Sequence, residues 1–450
     1  MRTITIIATF VAFAAATASV PAGAGQAPDL GREVLAANDG WAALATTALP
    51  NGTIGGSQAD AAHVYVVHDR NELVTALAYP SATPKIVYID GTIDGNVDAA
   101  NQPLTCTDYY RPDPTTLLPY DFAAFLATYD PAVWGMATNP SGPLERARVA
   151  SAAAQQARVR IRIPANTTIV GLGKRAIVRG AWFDIRPSST SGNTPMNVII
   201  RNLAFEDSTD CFPMWAPTDG ATGNWNSLYD SISVRNSTHV WIDHNAFADR
   251  LSADATLPTI FGRLYQVHDG LVDVTNESDL VTVSWNHFHE HDKVMLIGSS
   301  DGATADANKL RVTLHHNLFE NLGQRMPRVR YGKVHVYNNA FKVNMPERFV
   351  YFFGVGIQSQ IYAENNHFRV EDPVTPDLFL ERFNGTTLYE AGSLLNGVTN
   401  NSAVDVVGEY NAVNDPDLTD AVTWTPTLFL PVEDTSTVPV SVQKGAGPFH

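Results

Sequence analysis

Apolar and polar residues alternate with a period of two through several eight-residue segments, and one frame returns in each. An apolar residue, any residue, an apolar residue and two more are followed by asparagine, one residue and phenylalanine. The frame reads VWIDHNAF from Val240 to Phe247, VTVSWNHF from Val281 to Phe288, and VTLHHNLF from Val312 to Phe319. It returns as VHVYNNAF from Val334 to Phe341 and IYAENNHF from Ile361 to Phe368. A looser copy, VIIRNLAF, starts at Val198 with Asn202 one place early. Such alternation predicts strands with one buried face.

Asn245, Asn286, Asn317, Asn339 and Asn366 follow one another at 41, 31, 22 and 27 positions. A unit too short to bury its own face, repeated at a spacing in the twenties, signals a solenoid. The segments lack the 3.6-residue period of helical repeats, so the expected fold is an all-β parallel solenoid. Its coils stack about 4.8 Å apart, and equivalent asparagines form a ladder of side-chain amides. The 22-position step is the bare coil; longer steps carry loops, mostly on the earlier coils, where a binding face is expected. A β-sandwich with chance likeness between its strands is the competing architecture.

The coils are expected from about residue 160 to 370. Ahead of them lie strand-like VYVV (Val64 to Val67) and KIVYID (Lys85 to Asp90), then an excursion rich in Pro, Tyr and Asp from Asn101 to Gly142. Pro143 to Val159 is Ala-rich with no internal Gly or Pro, which predicts a helix suited to capping the open first coil. Residues 371–450 read as segments wrapping the outside, and no linker separates a second domain from the single body spanning 25–450.

Of 450 residues, 44% are hydrophobic and 17% charged, the values of a globular chain. The formal net charge of −16 opposes nucleic acid and other polyanions unless a cationic cleft is set into the surface. Asp306 to Lys333 supplies such a candidate, with six cations (Lys309, Arg311, Arg325, Arg328, Arg330, Lys333) against two acids. Residues 1–24 read as an export signal: Arg2, an apolar run from Ile4 to Ala18, and small-residue cleavage sites at Ala16–Ala18 and Ala22–Ala24. No later run is long enough to span a bilayer, so a secreted monomer with no membrane partner is expected. Cys106 and Cys211 are then either free thiols or one disulfide, which would contribute about 4–5 kcal/mol in the chain-entropy account.

Three aspartates stand out. Asp230 precedes one strand; Asp269 and Asp273 precede and enter the next, in HDGLVDV. Carboxylates brought together on adjacent coils repel unless a cation joins them, and calcium accepts oxygen ligands in flexible geometry; solvated surface acids are the plainer reading. Four extended residues span about 13 Å, so either Gly270 bends the chain or Asp269 belongs to a loop. His287, His289 and His291 lack a recognised zinc spacing. Gly298-Ser299-Ser300-Asp301-Gly302 lacks the helix of a nucleophile elbow and reads as a turn. Among the tryptophans, Trp225 is the best candidate for stacking a sugar.

VWIDHN, DGLVDV, VTVSWNHFHEHDKVMLIGSSD and above all RMPRVRYGKVHVYNN resemble the pectate lyases of the pectate/pectin lyase superfamily, over about Gly40 to Val370. The resemblance implies a right-handed parallel β-helix and secreted, calcium-dependent β-elimination of polygalacturonate. Position by position, it implies calcium ligation by Asp230, Asp269 and Asp273, the middle one often Glu in relatives. It makes Arg325 the Brønsted base, with Lys293 and Arg330 holding substrate. A guanidinium ordinarily keeps its proton, so the role of Arg325 comes from the resemblance alone. Rival readings are a pectin lyase on methyl-esterified chains, a hydrolase using paired carboxylates, and a non-catalytic polysaccharide-binding solenoid.

Overall fold

A computed structural model describes residues 29–188, 194–396 and 401–448; the expected export signal lies outside the described residues. Three long sheets of parallel strands wind about one axis, which makes a parallel β-helix. The repeated frame builds the first sheet and the start of the third. Val240, Val281, Val312, Val334 and Ile361 are in register down the first sheet. Phe205, Phe247, Phe288, Phe319, Phe341 and Phe368 are in register down the third. Their rings stack inside the coil at centroid spacings between 4.9 and 5.1 Å. The remaining sheet carries eight strands, among them Ile232–Arg235, Val272–Thr275, Leu296–Ile297, Arg328–Val329, Phe353–Gly356 and Leu380–Phe383.

Between the first and third sheets the chain turns through a left-handed residue on each coil: His244, Trp285, His316, Asn338 and Asn365, with φ between 49° and 54°. L-residues adopt this conformation at a cost of about 1–2 kcal/mol. The asparagine that follows supplies the compensating bonds. Each ladder Oδ1 accepts the backbone N–H and the Nδ2–H of the preceding asparagine: Asn317 from Asn286 at 3.0 Å each, and Asn339 from Asn317 at 2.9 and 3.0 Å. The looser copy explains itself. Val198 is paired with Val240, so Leu203 rather than Asn202 reaches the ladder position, and its N–H ends the row on Asn245 Oδ1 at 3.1 Å.

Asn317→Ala is expected to strand the Asn286 N–H and the Val283 carbonyl, which Asn317 Nδ2 otherwise meets at 2.9 Å. At about 1–3 kcal/mol for each unsatisfied buried group, the denaturant midpoint should fall by an easily measured amount; an unchanged midpoint would show that the ladder contributes no stability.

The ends differ from expectation. Val64–Val67 already pairs with Lys85–Ile89, and that strand with Thr167–Gly171, in the first sheet, and stacking continues to Leu388–Ala391 and Leu394–Leu395. Pro143–Val159 is helical as expected, but it does not plug the first coil. That place belongs to the short helix Arg70–Leu77, whose Leu73, Ala76 and Leu77 join the main core. The Ala-rich helix turns its larger apolar side chains elsewhere, Leu144 to the aromatic lobe and Val159 to Trp182 and Tyr229. It packs sideways through Ala147, Ser151 and Gln155 beside an aromatic lobe built from Tyr109, Tyr120, Phe125, Tyr129, Phe212, Trp215 and Trp225. Cys106 and Cys211 are disulfide-bonded, Cα atoms 5.4 Å apart, and tie the 101–142 excursion to this lobe. The C-terminal segment wraps the coils: Glu433 O accepts from Asn338 and Asn365, and helix Val438–Gly445 lays Val438 and Val442 on Leu318 and Ala340.

Candidate active site

The eight-stranded sheet carries the candidate residues on successive rungs. Strand Ile232–Arg235 pairs with Val272–Thr275, placing Ser233 beside Asp273; Asp230 lies just ahead of the first of these strands and Asp269 in the loop ahead of the second. Gly270 makes the approach. Its N–H donates to Asp230 Oδ1 at 3.0 Å, and its carbonyl accepts the Ser231 N–H. A side chain there would collide with both acids, because a Cβ would meet Asp273 Oδ1 at 2.5 Å and Asp230 Oδ1 at 3.0 Å. The two oxygens are therefore aimed at one small space that only glycine leaves open. The loop placement of Asp269 resolves the spacing difficulty raised by the sequence.

Asp230 and Asp273 are both buried, and neither forms an ion pair among the described residues. Burial, then the neighbouring charge of Asp269, pushes Asp230 up to about 7. Burial, then Asp230 and Asp269, raises Asp273 well above the usual carboxylate range, against a smaller opposing pull from Arg325. Paired, desolvated carboxylates resist ionising until a cation arrives. An all-oxygen set of this kind fits a hard cation such as calcium rather than a soft one.

The basic stretch divides in two. Lys309 pairs with Glu277, Arg311 with Asp279, and Arg330 with Asp301 at 2.7 Å. Arg330 also donates to the Gly298 carbonyl at 3.0 Å, within the turn expected for Gly298 to Gly302. Lys293, Arg325 and Arg328 line a polar cleft of about 310 Å³. No carboxylate pairs with any of these three among the described residues, and the Nε atoms of both arginines are buried without a partner. The strand geometry explains their placement: Lys293 is bridged to Gln324, and Leu296 is paired with Arg328, so consecutive rungs deliver all three to one side. A roomier apolar recess of about 430 Å³ lies elsewhere, on the third sheet beneath helix Val438–Gly445, and lines up no comparable chemistry.

Behind Asp269 sits a cluster that spacing did not reveal. His291 is buried, with Nδ1 2.7 Å from Asp249 Oδ2 and Nε2 2.7 Å from the Asp269 carbonyl. His268 faces Asp249 and Asp254 at 3.3 and 3.1 Å. Ligand atoms of Asp207, Asp249 and His268 lie within 4.8 Å of one another. Most of their atoms are already held by protein groups, Asp207 Oδ1 by three backbone N–H groups and His268 Nε2 by Ser252 Oγ at 3.0 Å, while Asp207 Oδ2 is buried without a partner. The cluster therefore acts as a brace for the Asp269 loop. His287 instead meets Glu320 at 3.1 Å, so the three histidines of HFHEH do not converge. Trp225 is buried in the aromatic lobe, stacked on Phe261, and walls the cleft rather than offering a free face.

The family description "Pectate lyase" matches residues 136–413. The chain is 45% identical over 433 residues to a pectate lyase of Bacillus subtilis (strain 168), covering 95% of this chain and 96% of that protein. It is 34% identical over 378 residues to pectate lyase A of Dickeya chrysanthemi, covering 82% and 79%. Among solved structures, a thermostable pectate lyase superposes with a TM-score of 0.87 at 44% identity, covering 94% of this chain and 100% of that one. A pectate lyase bound to hexasaccharide superposes with a TM-score of 0.85 at 43% identity, covering 94% and 99%. With a buried acidic pair facing unpaired cations on one parallel β-helix, and this likeness along nearly the whole chain, the protein belongs to the pectate lyases of the pectate/pectin lyase superfamily.

Proposed function

We propose that the chain, exported from the cell, cleaves the α-1,4 linkages of polygalacturonate by calcium-dependent β-elimination. Asp230, Asp269 and Asp273 would hold calcium, which when bound supplies Lewis-acid neutralisation of a substrate carboxylate. Lys293 grips that carboxylate and stabilises the negative charge that builds on it as the neighbouring C5 proton leaves. Arg325 accepts the proton. The electron pair left at C5 forms the C4–C5 double bond, and the bond from C4 to the glycosidic oxygen breaks. That oxygen takes a proton from solvent, leaving one saturated chain end and one unsaturated sugar. Arg330 is held by Asp301 and Gly298, so its part is to set a positive field beside Arg325 and to contact substrate from that fixed position.

One observation carries the reading: Asp230 and Asp273, buried with no ion pair among the described residues, lie near enough to Arg325 for its charge to act on Asp273, and Arg325 has no carboxylate partner there either, in a protein of net charge −16. Such a cleft is completed by a divalent cation and a polyanion together. Incubation with polygalacturonate should produce ultraviolet absorbance from the new double bond, abolished by a chelator and restored by calcium. New reducing ends without absorbance would assign the chain to hydrolysis. Activity only on methyl-esterified chains, insensitive to chelator, would make it a pectin lyase.

A further inference from the structure

We infer that Arg328 binds the carboxylate of a galacturonate neighbouring the one at Lys293 and Arg325, and so makes the enzyme sensitive to esterification of that second sugar. The inference rests on the polygalacturonate reading above and assigns a role to a residue that reading leaves idle. In strand Arg328–Val329, alternation sends Val329 into the core and Arg328 outward into the cleft. Two neighbouring rungs are shaped around the arginine. Gly354, directly paired with it, leaves the space its stem occupies, since a Cβ at 354 would meet Arg328 Cγ at 2.8 Å and Cβ at 2.9 Å. One rung further on, Phe383 presents its ring to the guanidinium, with Cζ 3.6 Å from the ring centroid.

Stacking uses the face of the guanidinium and leaves its N–H edges for a ligand. No carboxylate of the protein takes them: Arg328 forms no ion pair among the described residues, and its Nε is buried without an acceptor. This contrasts with Arg330, two residues on, which is ion-paired with Asp301. Burial, then the charges of Arg330 and Arg325, pushes Arg328 down to about 10, so an arriving anion relieves a crowded cation. Polygalacturonate carries a carboxylate on every sugar, and cations set side by side along one cleft meet successive charges. A planar fork suits a carboxylate with two equivalent oxygens; methyl esterification removes the charge and that symmetry.

The test compares wild type with Arg328→Met, which keeps an apolar stem over Phe383, and Arg328→Lys, which keeps the charge without the fork. Initial rates are followed by ultraviolet absorbance on polygalacturonate and on half-esterified pectin. Active wild type establishes the underlying reading independently of this one. Arg328→Met should raise KM on polygalacturonate by about tenfold or more, the loss of one charge-assisted contact, with kcat within threefold. It should also shrink the ratio of KM values between the two substrates. A KM within twofold of wild type, or a loss confined to kcat, overturns the proposal. If Arg328→Met shows no cooperative melting, Arg328→Lys decides: a raised KM with a reduced KM ratio supports the role, and unchanged values overturn it.

Discussion

Arg325→Lys is expected to lower turnover by about 10³-fold, within the range that a positioned general base supplies, while melting as wild type does. Lysine titrates below arginine; if ease of losing a proton governed the rate, the substitution would help. The expected loss comes from position. Arg325 sits at a left-handed backbone conformation, φ 65°, between Gln324 and the turn at Met326–Pro327, and its carbonyl is fixed by the Met295 N–H at 2.8 Å. That anchoring aims a long planar group into the cleft, and a flexible four-carbon amine does not reproduce its reach or its two-pronged edge. Among the described residues no protein acceptor holds its Nε, so its removal orphans no partner there and folding should be preserved. Initial rates on polygalacturonate at saturating calcium, beside a thermal melt, check both points. Activity within tenfold of wild type would remove Arg325 from proton transfer.

How much of this was legible beforehand follows from what period-two patterning can carry. Asn317 and Asn339 recur at the length of one coil, so strand, ladder and stacking direction all follow from position along the chain. The first coils were illegible because Lys85–Ile89 and Thr167–Gly171 carry neither the asparagine nor the phenylalanine, and the pairing between them is visible only in space. Helix propensity locates Pro143–Val159 but says nothing of its neighbours; the plug Arg70–Leu77 is too short for its helical period to stand out. In the site, Asp230 and Asp273 were legible because register sets them one rung apart. Arg325 and Lys293 came from the family resemblance. Nothing in spacing could connect His291 to Asp249, 42 residues away, or Arg328 to Phe383, since loops of unequal length separate the rungs that bring them together. The engagement of Arg330 by Asp301 was likewise beyond reach, because charge counting treats all six cations of the basic stretch alike.

Asp273→Asn should weaken calcium binding by on the order of 10²-fold, since ligand charge sets calcium affinity over several decades, and should make activity require correspondingly more calcium. The same change bears on stability with a definite sign. Asp230, at about 7 against an ordinary 3.8, holds a proton in the folded chain that the unfolded chain has already lost; Asp273 is shifted the same way. Between roughly pH 4 and 7 the folded state therefore binds more protons, and stability falls as pH rises through that window. In chelator, the wild-type melting temperature should drop between pH 5 and 8 more steeply than that of Asp273→Asn, in which the like-charge pair is gone. Calcium reverses the wild-type slope because it binds the unprotonated acids and releases their protons. Melting curves at the two pH values, with and without calcium, separate these contributions, and a calorimetric calcium titration gives the affinity directly. Identical titrations for wild type and variant would exclude Asp273 from the ligand set, and equal pH slopes in chelator would show that the two buried acids do not share the space Gly270 leaves between them.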